Sequence, residues 1–177
     1  MRRLAQLIEV VRWKLLALAG HERRVRALRK RGVRIGEGCL VYTSSFSTEP
    51  YLIEIGNHVA ISIGVEFVTH DAAGWLFEDH PEMDVFGPIK VGDNTFFGTN
   101  CTILPGTRIG SDCVIGSGSV VRGEIPDGSV AMGNPARVVM KTSLFKQLLV
   151  NHKHRLDTRS LSPSEKEKVV RRHFGLV

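Results

Sequence analysis

Residues 91–126 divide into six hexads that read VGDNTF, FGTNCT, ILPGTR, IGSDCV, IGSGSV and VRGEIP. The same frame fits IGEGCL from Ile35, IGNHVA from Ile55 and ISIGVE from Ile61. In these nine hexads every first residue is apolar and six second residues are glycine. The fifth position is mostly small, as in Thr95, Cys101, Thr107, Cys113 and Ser119.

A six-residue period predicts a parallel β coil with three flat faces, because every sixth side chain then returns to an equivalent place. One large apolar residue per face can stack into the interior, and the narrow interior requires a small fifth residue. Glycine and asparagine suit the corners, where the backbone needs a positive φ. About eighteen residues make one turn of such a coil, and stacked turns bury a continuous core.

The three cysteines, Cys39, Cys101 and Cys113, all fall at the fifth position of a hexad. We therefore interpret them as small buried side chains rather than catalytic thiols. Three is an odd number and no CxxC pair occurs, so the sequence predicts no disulfide framework and fits a reducing compartment.

Two stretches break the hexad frame. Residues 42–52 are irregular, and residues 71–88 contain five acidic residues, Trp75 and two phenylalanines. We expect the second stretch to be a loop that is extruded from one face of the coil, where binding residues are often found. The predicted organisation is an N-terminal basic amphipathic helix over 1–32, a β-helix catalytic domain over 33–139 and a C-terminal helical extension over 140–177.

Both ends of the chain show helical patterns. Apolar residues between Leu4 and Leu18 lie on one helical stripe, which predicts a helix docked on the protein or lying at a membrane surface. Charged residues interrupt this segment, so we expect no cleaved signal peptide. A short helix is predicted over 143–156. Near the C-terminus, Ser162 and Glu165 form a capping-box pattern with Pro163 at the first helical position.

The net charge of +6 is unevenly distributed. Residues 1–34 carry +9, residues 35–136 carry −10 and residues 137–177 carry +7. A nucleic-acid-binding domain would place basic residues on its recognition face, whereas this core is acidic. We therefore expect no nucleic-acid partner.

In four stretches the sequence resembles the hexapeptide-repeat acyltransferases, and most closely the galactoside, maltose and polysaccharide O-acetyltransferases. These stretches are FVTHD (67–71), FGPIKVGDNTFFGTNCTILPG (86–106), IGSGSVV (115–121) and GNPARVV (133–139). The resemblance implies a mainly β fold, the left-handed parallel β-helix, with short N- and C-terminal helices. It further implies a homotrimer that uses acetyl-CoA as acyl donor between neighbouring coils, with His70 of the Thr-His motif as catalytic base.

The resemblance also assigns ligand contacts. Phe96 takes an aromatic position near the active site that is often tryptophan, and Ser44 and Glu49 fall where acceptor contacts are found. The GNPAR turn implies adenine contacts at Pro135 and Ala136. Relatives often have a second arginine at the position of Met140, which leaves open which phosphate is contacted. The implied contacts to the pantetheine arm and to the phosphates are Gly98, Thr99, Gly116, Ser117, Arg137 and Lys141.

The residues allow direct transfer from a thioester to a hydroxyl. A histidine imidazole can take the acceptor proton near neutral pH, and backbone N–H groups can stabilise the oxyanion. We expect Asp71 or Glu66, or a backbone carbonyl, to orient the imidazole of His70. No metal is required by this chemistry.

The preferred acceptor is a sugar hydroxyl on a polysaccharide precursor or small glycoside, in a cytoplasmic enzyme that could reach the inner face of the membrane through its N-terminal helix. An amino group on a nucleotide-linked amino sugar is the alternative acceptor. A non-catalytic β-helix assembly subunit remains a third possibility. A zinc carbonic anhydrase would require three histidine ligands, and the spacing of His58, His70 and His80 does not resemble that pattern.

Overall fold

Short parallel strands stack into three sheets, and each sheet forms one face of a continuous coil. This computed structural model describes residues 20–176. The first face contains β1 (Arg34–Ile35), β4 (Ile53–Ile55), β9 (Ile89–Val91), β12 (Arg108–Ile109) and β15 (Glu124–Ile125). The second contains β2 (Leu40–Val41), β5 (Ala60–Ile61), β10 (Phe96–Phe97), β13 (Val114–Ile115) and β16 (Ser129–Gly133), with β17 (Ala136–Lys141) antiparallel at its edge. The third contains β3 (Ser45–Phe46), β6 (Glu66–Phe67), β11 (Thr102–Ile103) and β14 (Val120–Val121).

The apolar first positions of the hexads form three ladders of inward-facing side chains. On the third face, Phe46 pairs with Phe67, Phe67 with Ile103 and Ile103 with Val121, and all four are at most 1% exposed. Burial of each such side chain stabilises the fold by about 1.5–3 kcal/mol. The predicted role of the first position is confirmed. The small fifth positions are also buried, as in Thr95, Cys101, Thr107, Cys113 and Ser119.

The corners of the coil are made by backbone in the left-handed region. Asn94, Asn100 and Asp112 have φ values of 52°, 57° and 56°, and each occupies the fourth position of its hexad. Gly106 and Gly118 take the same place in their hexads with φ values of 77° and 72°. Asparagine, aspartate and glycine tolerate this conformation better than other residues do, which explains their recurrence.

The segment over 42–52, predicted as irregular, contributes to the coil. It contains β3 and a 3-10 helix over Pro50–Leu52. Strand β3 pairs with β6 across a spacing of 21 residues, as in Phe46 with Phe67, rather than the 18 residues that separate Thr102 and Val120. The three additional residues obscure the hexad pattern in the sequence, although the inward position is still occupied by Phe46.

The extruded loop leaves the coil through a two-stranded antiparallel ribbon. Strand β7 (His70–Asp71) pairs with β8 (Val85–Phe86), so that His70 lies opposite Phe86. A 3-10 helix over Ala73–Leu76 follows β7. The predicted loop over 71–88 therefore begins at the ribbon that contains His70.

Helix α1 (His21–Lys30) covers one end of the core with Val25 and Leu28. The buried guanidinium of Arg24 donates to the backbone oxygen of Val41. The helical stripe predicted between Leu4 and Leu18 lies outside the described residues, so its docking and any membrane contact stay predictions. Within residues 20–176, the helices are too short and too polar to cross a lipid bilayer.

Among the described residues, 143–176 form a separate compact unit. It contains most of α2 (Thr142–Val150), which ends six residues before the end of the helix predicted over 143–156, and α3 (Pro163–His173). Ser162 caps α3, and Glu165 donates its backbone N–H to the Ser162 hydroxyl while accepting from the Ser162 N–H at 2.8 Å. This capping box confirms the predicted start of α3. The predicted domain boundary between residues 139 and 140 stays a prediction, and β17 continues across that boundary to Lys141.

Candidate active site

Two stretches of four residues lie directly over one another where the third face of the coil ends. FSTE (46–49) follows the inward-facing Phe46, and FVTH (67–70) follows Phe67 one turn later. The register of 21 residues that joins Phe46 to Phe67 also places Glu49 beside His70. The coil therefore brings together a carboxylate and an imidazole that are distant in the sequence.

Hydrogen bonds connect four side chains at this corner. Nδ1 of His70 lies 2.8 Å from Oε2 of Glu49. Oγ1 of Thr69 lies 2.7 Å from the same carboxylate oxygen and 2.7 Å from Oγ of Ser47. Thr69 is fully buried, and the side chains of His70 and Glu49 are 29% and 16% exposed. The network is therefore shielded on one side and open to solvent at the imidazole.

The charge state of Glu49 determines the tautomer of His70. Burial disfavours the ionised form of Glu49, but hydrogen bonds from Thr48, Thr69 and His70, together with the charge of protonated His70, lower its pKa from 4.5 to about 2. At neutral pH the carboxylate is ionised and can only accept hydrogen bonds. Nδ1 of neutral His70 must therefore carry the proton, which leaves the lone pair on Nε2.

The two carboxylates expected to orient His70 contact other groups. Asp71 accepts a hydrogen bond from the backbone N–H of Ala73 at 2.9 Å, and Glu66 lies 3.3 Å from the hydroxyl of Ser45. The carboxylate on the imidazole is that of Glu49, which the sequence had suggested as an acceptor contact. Ser44 is half-buried just before β3.

The ring of Phe86 forms an apolar wall beside His70, with ring centroids 5.7 Å apart. Sequence reasoning missed this contact, together with the contributions of Ser47 and Thr69. Phe96, the aromatic residue that the resemblance had indicated, is 45% exposed on the outer surface of β10 between Ala60 and Val114.

The residues assigned to the pantetheine arm form a strip at the corner between the second and third faces. Thr99 and Ser117 are exposed on successive turns, and the N–H of Gly118 donates to the carbonyl of Thr99 at 2.8 Å. Gly98 allows these turns to approach closely, because an added Cβ there would lie 2.5 Å from the backbone nitrogen of Ser117. Gly116 is likewise packed against Met132.

The residues assigned to the nucleotide end of the donor lie on the hairpin of β16 and β17. Pro135 is exposed, and Arg137 is exposed with Nη1 3.1 Å from the carbonyl of Ala136. Ala136 is only 5% exposed, so its methyl group packs into the protein and little of it is available for the implied adenine contact. Lys141 is exposed opposite Ser129.

The histidines considered for a zinc site have separate partners. Nδ1 of His58 lies 2.8 Å from the side-chain oxygen of Asn94, whereas Nε2 of His80 lies 3.6 Å from Asp79 in the loop. Among residues 20–176, no three histidine, cysteine or acidic side chains converge in a way that could hold a metal ion.

The cysteines are buried in the coil, as the fifth-position interpretation requires. Burial raises the pKa of the thiols of Cys39, Cys101 and Cys113. A raised pKa reduces the fraction of nucleophilic thiolate at neutral pH.

Comparisons with known proteins agree with this architecture. The family model described as bacterial transferase hexapeptide (six repeats) matches residues 88–123. Protein CapG of Staphylococcus aureus is 42% identical over 145 residues, which cover 79% of this chain and 83% of CapG. A Mycobacterium tuberculosis protein named a probable acetyltransferase is 34% identical over 154 residues, and the match covers 80% of this chain and 46% of that protein.

A solved structure of galactoside acetyltransferase in complex with coenzyme A has a TM-score of 0.58 at 20% identity. The match covers 84% of this chain and 88% of that one, and it shows a shared fold. The similarity to CapG extends over most of both chains, and the hexapeptide model matches the regular part of the coil. The chain is therefore an enzyme of the hexapeptide-repeat transferase family.

Proposed function

We propose that the protein transfers an acetyl group from acetyl-CoA to a sugar hydroxyl, with His70 as general base and Glu49 as the group that orients it. The observation that supports this most strongly is the contact of 2.8 Å between Nδ1 of His70 and the ionised carboxylate of Glu49. This contact leaves Nε2 of a partly exposed imidazole ready to accept a proton.

The transfer needs no covalent enzyme intermediate. Nε2 of His70 removes the proton of the acceptor hydroxyl while the hydroxyl oxygen attacks the thioester carbonyl. The new C–O bond forms, the C–S bond breaks, and the proton held by His70 returns to the departing thiolate. Glu49 stabilises the protonated imidazole during this exchange, as a buried carboxylate does in other histidine-based sites.

The donor is proposed to lie between two copies of the chain in a homotrimer. His70 lies at the corner between the third and first faces, whereas Thr99 and Ser117 lie at the corner between the second and third. One face separates these corners by roughly 15–20 Å, given about 3.3 Å per extended residue. A pantetheine arm that follows Thr99 and Ser117 along the coil would therefore meet the His70 of a neighbouring copy more readily than that of its own chain.

The coil is proposed to be left-handed, as in hexapeptide-repeat relatives. Membership of a transferase family favours an enzyme over a non-catalytic assembly subunit. The sugar acceptor is supported by the shared fold with galactoside acetyltransferase, whose solved structure also contains coenzyme A. Arg137 and Lys141 are proposed to hold donor phosphates through charge-assisted hydrogen bonds.

The proposal can be tested by thiol release from acetyl-CoA with matched acceptors. Neutral glycosides that carry free hydroxyls would be compared with nucleotide-linked amino sugars, and the position of the acetyl group would be determined by NMR. We expect O-acetylated glycosides. Acetylation restricted to the amino group would favour the alternative acceptor, and no transfer to either class by a folded protein that binds coenzyme A would contradict the proposed acceptor.

A further inference from the structure

We propose that Ser47 is a positioning residue of this site, acting on His70 through Thr69 and Glu49. The inference rests on the proposed function. Ser47 directly follows the inward-facing Phe46, and the hydroxyl is the one polar group of the Ser47 side chain. Oγ lies 2.7 Å from Oγ1 of Thr69, 3.3 Å from the backbone N of Thr69 and 3.4 Å from Oε2 of Glu49.

The number of hydroxyl hydrogens determines the direction of these hydrogen bonds. Thr69 has one hydroxyl hydrogen but two oxygen neighbours at 2.7 Å, on Ser47 and Glu49. Glu49 is ionised at neutral pH and cannot donate, so Thr69 must donate to it. The hydroxyl of Ser47 lies 2.7 Å from Oγ1 of Thr69 and 3.4 Å from Oε2 of Glu49, so its hydrogen also stays within this network.

The result is a network that converges on one carboxylate oxygen. Ser47 and Thr69 share a hydrogen bond and Thr69 donates to Glu49, while Nδ1–H of His70 donates to the same oxygen. Hydrogen bonds in such a network polarise and strengthen one another. Ser47 thereby fixes the position of the Glu49 carboxylate on which the imidazole depends.

The backbone of Ser47 provides a second, independent observation. Its φ is 41°, in the left-handed region that a non-glycine residue adopts at an energetic cost. Such conformations persist where the surrounding structure holds them, and they are concentrated at functional sites. Here the conformation directs Oγ toward Thr69, so that it also accepts the buried backbone N–H of that residue at 3.3 Å.

The test is a double-substitution cycle with Ser47→Ala, Glu49→Gln and the combined variant, assayed with acetyl-CoA and the best acceptor from the panel. We expect Ser47→Ala to lower kcat about fivefold, the usual size for loss of one hydrogen bond in a network, with KM for acetyl-CoA unchanged. Because Ser47 acts through Glu49, the same substitution should have almost no further effect on kcat in the Glu49→Gln background.

Ser47→Gly is the matched control for the backbone, because glycine adopts a positive φ without strain. If the hydroxyl is responsible, the glycine and alanine variants should show the same loss of kcat. Ser47→Gly should also be no less thermally stable than Ser47→Ala. Full activity of both variants would overturn the proposal. A further fivefold loss in the Glu49→Gln background would also overturn it, because the effect would then not pass through Glu49.

A second measurement, by NMR, needs no acceptor and accompanies the kinetics. In protein labelled with ¹⁵N at histidine, the side-chain nitrogen shifts of His70 should report one tautomer with the proton on Nδ1, and Ser47→Ala should increase the population of the other. An unchanged tautomer population in Ser47→Ala would contradict the proposal. Loss of transfer in every variant and in the wild type would instead contradict the proposed function, so that the two failures are distinguishable.

Discussion

Glu49 lies one coil turn below His70, and its Oε2 is 2.8 Å from Nδ1 of the imidazole. The pairing follows from the register of the third face, in which Phe46 and Phe67 occupy equivalent inward positions. A repeat that builds the core thus also aligns a carboxylate with the candidate base.

Glu49→Gln should lower kcat about ten- to hundredfold with little change in KM for acetyl-CoA. The amide preserves the shape of the side chain but can present its NH₂ group to Nδ1, so that it no longer fixes the tautomer or stabilises the imidazolium. Steady-state kinetics provides the measurement, with Glu66→Gln as control because Glu66 contacts Ser45. Equal losses of kcat in Glu49→Gln and Glu66→Gln would mean that the loss of any nearby negative charge, rather than of the contact with His70, lowers the activity.

The free energy of unfolding should contain a pH-dependent contribution from Glu49. Its pKa is lowered from 4.5 to about 2 in the folded protein, so folding favours the ionised form. The stabilisation is complete above the unfolded pKa of about 4.5 and is lost as the pH falls toward 2. The stability difference between wild type and Glu49→Gln, measured in urea, should therefore shrink between pH 5 and about pH 2. A difference that is independent of pH would contradict this assignment.

Ile103→Ala should reduce the free energy of unfolding by about 2–5 kcal/mol, because it removes a fully buried side chain between Phe67 and Val121 and leaves a cavity. Thr102→Ala is the matched control on the same strand, where the side chain faces outward and is half-buried. It should cost less than about 1 kcal/mol. Comparable losses in both variants, measured by urea unfolding at one protein concentration, would contradict the inward register.

The sequence predicted the regular part of the coil well, because every sixth residue from Val91 onward must fill the same narrow interior. The partner of His70 could not be deduced, since the three additional residues between Phe46 and Phe67 displace Glu49 from the expected spacing of 18 residues. A comparison of FSTE with FVTH could have revealed it, because both begin with an inward phenylalanine. The loop contact between His70 and Phe86 depends on the pairing of β7 with β8, which the hexad pattern does not specify.

Arg137→Ala should raise KM for acetyl-CoA about five- to tenfold while kcat changes little, because a phosphate contact remote from the thioester is made equally in the ground and transition states. Acetyl-pantetheine lacks the phosphates and should be unaffected. Arg122→Ala serves as a control at another exposed position. Equal impairment with both donors would show that Arg137 supports the fold or a subunit contact.

The most direct test of the account is the turnover of His70→Ala, measured by thiol release alongside coenzyme A binding by calorimetry. We expect kcat to fall by about 10²–10⁴ while coenzyme A binding is retained, since the substitution removes the general base but leaves the coil intact. His58→Asn, at an exposed corner with a positive φ that asparagine tolerates, should retain wild-type turnover. Turnover near the wild-type rate in a folded His70→Ala protein would contradict the assignment of His70 as the base.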